Sequence, residues 1–124
     1  MEDYSSTKLK VKYSKYYSGV ATLDLAGEGL SRVPDAAIER SEVQVLSLEK
    51  NKLTKLPTSI NKLNRLIWLH LDGNNLTELP AEIGDLKELL QLSVSGNPLT
   101  VDAIKFALKL EKRGLYTDIA GEDK

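Results

Sequence analysis

LIWLHLDGNNLTELP, Leu66 to Pro80, contains the chain's only tryptophan and its only histidine. Leu66, Leu69 and Leu71 set the buried phase of a strand, so Trp68 and His70, alternating with them, face solvent. The largest aromatic and the sole imidazole thus occupy the wet side. The stretch also recurs. VATLDLAGEGLSRVP (20–34), VQVLSLEKNKLTKLP (43–57) and LLQLSVSGNPLT (89–100) superpose on it, and their first residues, Val20, Val43, Leu66 and Leu89, are each spaced by 23. A second apolar track follows in the other half of each unit: Ile38, then Ile60 and Leu63, then Ile83 and Leu86. One Leu-x-Leu strand cannot cover its own inward leucines. Stacked units pair their strands into a parallel sheet and bury a continuous apolar column.

Two further registers support the stacking. Val33-Pro34, Leu56-Pro57 and Leu79-Pro80 place a proline where the return side needs no backbone donor. Asn51, Asn74 and Asn97 share a position at which an inward side-chain amide, with two donors and an acceptor, can satisfy the backbone of adjacent turns. The first repeat departs from this, with Glu28 in that place.

The pattern resembles the leucine-rich repeat, in the intracellular 23-residue form LxxLxLxxNxLxxLPxxIxxLxx, over Val20 to about Thr100. The Leu-Pro step with Ile three residues later is similar to that of Ras-binding scaffold proteins and plant Ras-group-related repeat proteins. The resemblance implies an α/β repeat fold: a short right-handed solenoid of four repeats with a parallel concave sheet and helical caps at both ends. It also implies a protein partner on the concave face, with a small GTPase or a phosphatase assembly as the expected class.

The whole of 1–124 reads as one domain, with an N-terminal cap at 7–19, repeats at 20–100, a cap helix within 101–116 and a frayed tail at 117–124. Leu9, Tyr13, Tyr16, Tyr17 and Val20 follow helical spacing, with Ser5 to Thr7 as candidate N-caps and Gly19 beyond the end, which predicts a helix over 7–18. Leu9, Val11 and Tyr13 also alternate with lysines, the signature of a strand. Val101 to Arg113 reads as a helix, started near Thr100 or Asp102 and stopped by Gly114.

Composition limits the chemistry. Net charge is −1, so no overall field selects nucleic acid or anionic membrane. There are no cysteines, hence no disulfides or thiolate catalysis. MEDYSSTKLKVKY lacks an apolar signal core, and no run approaches the roughly 20 apolar residues of a membrane span, so a cytoplasmic protein is expected. A catalytic triad has only His70 as its base, and catalytic zinc usually takes more His or Cys ligands than one. Asp24, Glu49 and Asp72 are candidate oxygen ligands for a hard cation, but strand-end carboxylates in such sheets are normally solvated. Gly27-x-Gly29 opens like a dinucleotide fingerprint; Arg32 then holds the third glycine position and Pro34 follows where a helix should begin. The expectation is therefore a non-catalytic chain without cofactor or metal, a monomer or weak dimer.

Outward positions form columns: Thr22, Val45, Trp68, Gln91; then Asp24, Ser47, His70, Ser93; then Ala26, Glu49, Asp72, Ser95. Trp68, mid-array with polar and acidic surroundings, looks like an interface anchor. The expected partner surface is Thr22, Asp24, Val45, Ser47, Glu49, Trp68, His70, Asp72, Gln91 and Ser93, with His70 an ordinary exposed imidazole. On the last helix, Phe106 and Leu110 widen the apolar arc beyond one stripe and make a second candidate surface. Two rival functions follow: a structural subunit gripped through that helix, and a nucleotide binder or enzyme using the Gly27 region.

Overall fold

A computed structural model of the chain describes residues 9–13 and 19–119. Its six strands are β1 (Lys12–Tyr13), β2 (Ala21–Asp24), β3 (Val45–Ser47), β4 (Trp68–His70), β5 (Gln91–Ser93) and β6 (Tyr116–Thr117). They form one sheet in chain order, with β1 antiparallel to β2 and every later pair parallel. The return segments are a short helix, α1 (Asp35–Ile38), and two 3₁₀ helices, Thr58–Lys62 and Ala81–Asp85. The cap helix α2 (Val101–Lys112) leads into β6.

The repeat period becomes sheet register directly. Leu23, Leu46, Leu69 and Leu92 are paired in neighbouring strands and are all fully buried. Leu25, Leu48, Leu71 and Val94 form the next buried column. Pro34, Pro57 and Pro80 stand at the start of each return segment with extended backbone, and each carbonyl accepts the amide three residues on, from Ala37, Ile60 and Ile83. No proline amide is needed there, so the ring restricts the chain without losing a bond. Ile60, Leu63, Ile83 and Leu86 are buried as expected. In the first repeat Ala37 and Arg40 take those registers, and Ile38 is buried beside them. The Arg40 guanidinium donates to the Leu9 carbonyl, which ties the N-terminal segment to the array.

The asparagines do what their register predicts. Asn74 Nδ2 donates to the carbonyls of Leu48 and Leu71, and its Oδ1 accepts from the Leu53 amide at 3.0 Å. Asn51 and Asn97 repeat the pattern one unit to either side. Asn51 also accepts from the Glu28 amide, so the second repeat supplies what the first lacks.

Gly27, Gly73 and Gly96 turn the chain after each strand with φ of +66°, +72° and +73°, and Lys50 holds the same register at +59°. A Cβ on Gly96 would lie 3.2 Å from the Gly73 amide nitrogen, a backbone atom that cannot swing aside. Gly96→Ala is expected to cost about 1–2 kcal/mol, read from the urea unfolding midpoint.

Both ends depart from expectation. Lys12–Tyr13 is a strand paired with Ala21–Thr22, not part of a helix over 7–18; residues 7, 8 and 14–18 of that expectation lie outside the described residues. The strand agrees with the alternation of Leu9, Val11 and Tyr13 rather than with the helical spacing, and its two extended residues add a row of backbone bonds to the open edge of β2. The expected tail at 117–124 is docked at its start. Thr117 lies in β6 and Ile119 is buried; residues 120–124 are outside the described set. Pairing here steps by 25 residues, Gln91 to Tyr116, because α2 lengthens the connection.

Asp118 closes the array. The amides of Leu25, Leu48 and Leu71 donate to carbonyls in the following strand, those of Ser47, His70 and Ser93. Val94, next in that series, donates to Asp118 Oδ1 at 2.8 Å, and Ser95 to Oδ2 at 3.2 Å. A side-chain carboxylate just past the end of β6 thus takes the place of the backbone carbonyl in that series. Asp118→Ala is expected to destabilise by about 1.5–3 kcal/mol, the scale of hydrogen bonds to a charged group, and Asp118→Asn by less, as compared by thermal melting.

Candidate functional site

The expected columns exist as registers. Thr22, Val45, Trp68 and Gln91 are paired across β2 to β5, and so are Asp24, Ser47, His70 and Ser93. Glu49 and Asp72 stand side by side beyond the strands, linked by the Lys50 amide donating to the Asp72 carbonyl. Trp68 is half-buried at the centre of the sheet.

Not all of these positions are open. Val45 is only 6% exposed although it lies in the outward phase and outside the hydrophobic core cluster. Its column neighbours are Thr22 on one side and the much larger Trp68 on the other. Ser93 is buried as well, with Gln91 Nε2 3.4 Å from its hydroxyl on the same strand face. Thr22, Ser47, Glu49, Trp68, His70, Asp72 and Gln91 are half-buried and Asp24 is exposed. The accessible surface is therefore narrower at β3 and β5 than the columns imply.

It is also longer. Tyr116 joins the Trp68 column through its pairing with Gln91 and is 61% exposed. Leu90, whose carbonyl accepts the Tyr116 amide, is 59% exposed. A strict 23-residue period cannot find Tyr116. The only hint in the sequence was the alternation of Leu115, Tyr116 and Thr117 after the Gly114 stop.

The second candidate surface splits. Leu110 is buried, with Ala103 and Ala107, at i, i+4 and i+7 on the face of α2 that closes the core, so it is no part of an exposed edge. Phe106, on the flank, is half-buried against the core. A cavity of about 70 Å³ lies under this helix, lined by Ile83, Leu86, Lys87, Leu89, Leu110, Arg113 and Leu115. That is room for about two waters, too small for a metabolite.

Among the described residues no three His, Asp or Glu side chains are grouped to hold a metal ion. Gly27 and Gly29 have φ of +66° and +71°, and Gly27 donates its amide to the Glu49 carbonyl. That turn spends on the sheet a donor that a phosphate loop would present to ligand. Among the described residues no helix is long and apolar enough to cross a membrane.

The comparisons agree with this geometry. The leucine rich repeat family model matches residues 18–76 and 41–99. A leucine-rich repeat protein of Leptospira interrogans is similar at 33% identity and TM-score 0.63 over 71% of this chain, which spans 22% of that one. A chain of the Drosophila melanogaster SNF/U2A′ complex shares the fold at 18% identity and TM-score 0.70, over 94% of this chain and 67% of its own length. No curated protein sequence matches the chain. Strand register, asparagine ladder and family match converge, and the chain belongs to the leucine-rich repeat family.

Proposed function

We propose that the chain is a non-catalytic adaptor that holds a folded protein partner on its concave sheet, through Thr22, Asp24, Ser47, Glu49, Trp68, His70, Asp72 and Gln91, with Val45 and Ser93 as the floor beneath them. The observation that carries this reading is Trp68: it stands in the outward phase of the central strand β4, in register between Val45 and Gln91. A large aromatic ringed by polar groups at the middle of a face is how binding energy is usually concentrated. The extended sheet of a repeat solenoid is its usual contact surface. The Drosophila neighbour was solved in a protein complex, which supports an assembling role for the fold. The partner class proposed is a small GTPase or a phosphatase assembly in cytoplasmic signalling, bound by a monomer or weak dimer.

A partner recovered by affinity purification provides the test. Trp68→Ala is expected to weaken it by about 2 kcal/mol, roughly thirtyfold, with a melting temperature far closer to wild type than that of Leu69→Ala. The rival reading, a structural subunit gripped through α2, draws on half-buried Phe106 and exposed Val101. Normal binding by Trp68→Ala together with loss in Phe106→Ala would transfer the site to that helix.

A further inference from the structure

The concave face is divided by chemistry along its strands. Where the strands begin, Trp68 and Tyr116 stand in one outward register, and Ile67 and Leu90 precede that register by one residue; Leu90 and Tyr116 are more than half exposed. Where they end, the charged outward positions from β2 to β6 are all acidic: Asp24, Glu49, Asp72 and Asp118. Asp118 is committed to the Val94 and Ser95 amides, and Asp24 Oδ1 accepts from the Ala26 amide. Glu49 and Asp72 have no such partner. They sit just beyond the adjacent strands β3 and β4, about 5 Å apart at the backbone, and neither forms an ion pair with a described residue. Glu49 Oε1 is enclosed without a hydrogen-bond donor. Lys50, the next residue, is exposed in the left-handed turn. Two neighbouring carboxylates, one of them partly desolvated, repel each other, and a cation placed between them relieves both costs.

We propose that this face takes a protein segment carrying lysine or arginine beside an aromatic or large aliphatic residue, its cation set between Glu49 and Asp72 and its apolar group against Trp68, Leu90 and Tyr116. The inference rests on the concave-face reading and adds to it the sign of the partner's charge and its orientation along the strands. Arginine suits the paired carboxylates better than lysine, because its planar fork can donate to both at once.

The test is selection of a random displayed peptide library on the immobilised full chain. Enriched sequences are expected to combine Arg or Lys with Trp, Phe, Tyr or Leu. Synthetic copies should lose about thirtyfold in affinity on Trp68→Ala and about tenfold on Glu49→Gln/Asp72→Asn. The tenfold loss should shrink as salt is raised, since screening removes what the substitution removes. The neutral replacements keep side-chain shape, and circular dichroism melting confirms that each variant is folded. Peptides that depend on Trp68 but show no basic preference would overturn the charge inference and leave the concave face standing. Peptides that bind wild type and Trp68→Ala equally would overturn both. Selection that enriches nothing also counts against the inference, because a short basic and apolar segment would then be insufficient.

Discussion

Leu69→Ala is expected to lower the unfolding free energy by about 2–5 kcal/mol, the range for a buried leucine truncated in a core that cannot collapse around the gap. Leu69 is fully buried and paired on both sides, with Leu46 in β3 and Leu92 in β5. Collapse is hindered because those strands are held at fixed separation by their own backbone bonds. The central repeat also carries the interfaces on which both ends depend, so the loss should be cooperative across the array. Urea unfolding followed by Trp68 fluorescence reads it directly, since the chain has one tryptophan and it lies next to the substituted residue. An unchanged midpoint would mean that the leucine column is not what holds the repeats together. Thr117 provides a contrast in the same column: it is 2% exposed with an unpartnered hydroxyl, so the C-terminal end of that column already carries a polar defect.

Asn74→Ala should cost about 3 kcal/mol or more, although it removes no apolar volume. Its side chain serves the carbonyls of Leu48 and Leu71 and the amide of Leu53 in places water does not reach. Each buried backbone group left unpaired costs about 1–3 kcal/mol, less what relaxation recovers. Asn74→Asp keeps the acceptor but loses both donors and adds a buried charge, so it should be at least as damaging. The neighbouring Asn75 is exposed, and Asn75→Ala should stay within about 0.5 kcal/mol of wild type. Denaturation midpoints for the three variants, measured side by side, check the ordering. If Asn74→Ala and Asn75→Ala melt alike, the ladder is ornamental and the leucine columns alone set the stability.

The candidate site was legible where the period reached it. A residue's phase within a strand follows from alternation, and its neighbour in the next strand follows from the 23-residue step, so the sequence sets Trp68 beside Val45 and Gln91. Accessibility was not legible in that way. Val45 and Ser93 share the outward phase but are closed over, because exposure depends on the size and conformation of side chains in adjacent columns. Leu110 was misplaced for a related reason. A helical wheel shows how wide an apolar arc is, but where the core lies within the arc is decided by the surface the helix docks on.

What the sequence determined by itself is the repeating part: the leucine columns, the proline starts of the return segments and the asparagine ladder. Each of these joins a unit only to its immediate neighbours at a constant spacing, so a one-dimensional pattern carries the full instruction. Tertiary structure alone decided how the ends join the sheet. At the N-terminus Lys12–Tyr13 pairs antiparallel with β2, and Arg40 reaches the Leu9 carbonyl from a position where later repeats hold leucine. At the C-terminus the chain rejoins the sheet after 25 residues, brings Tyr116 onto the concave face, and spends the Asp118 carboxylate on two amides. A terminal repeat lacks a neighbour, and its unpaired backbone groups must be met by whatever the non-repeating chain brings within reach. No period encodes that.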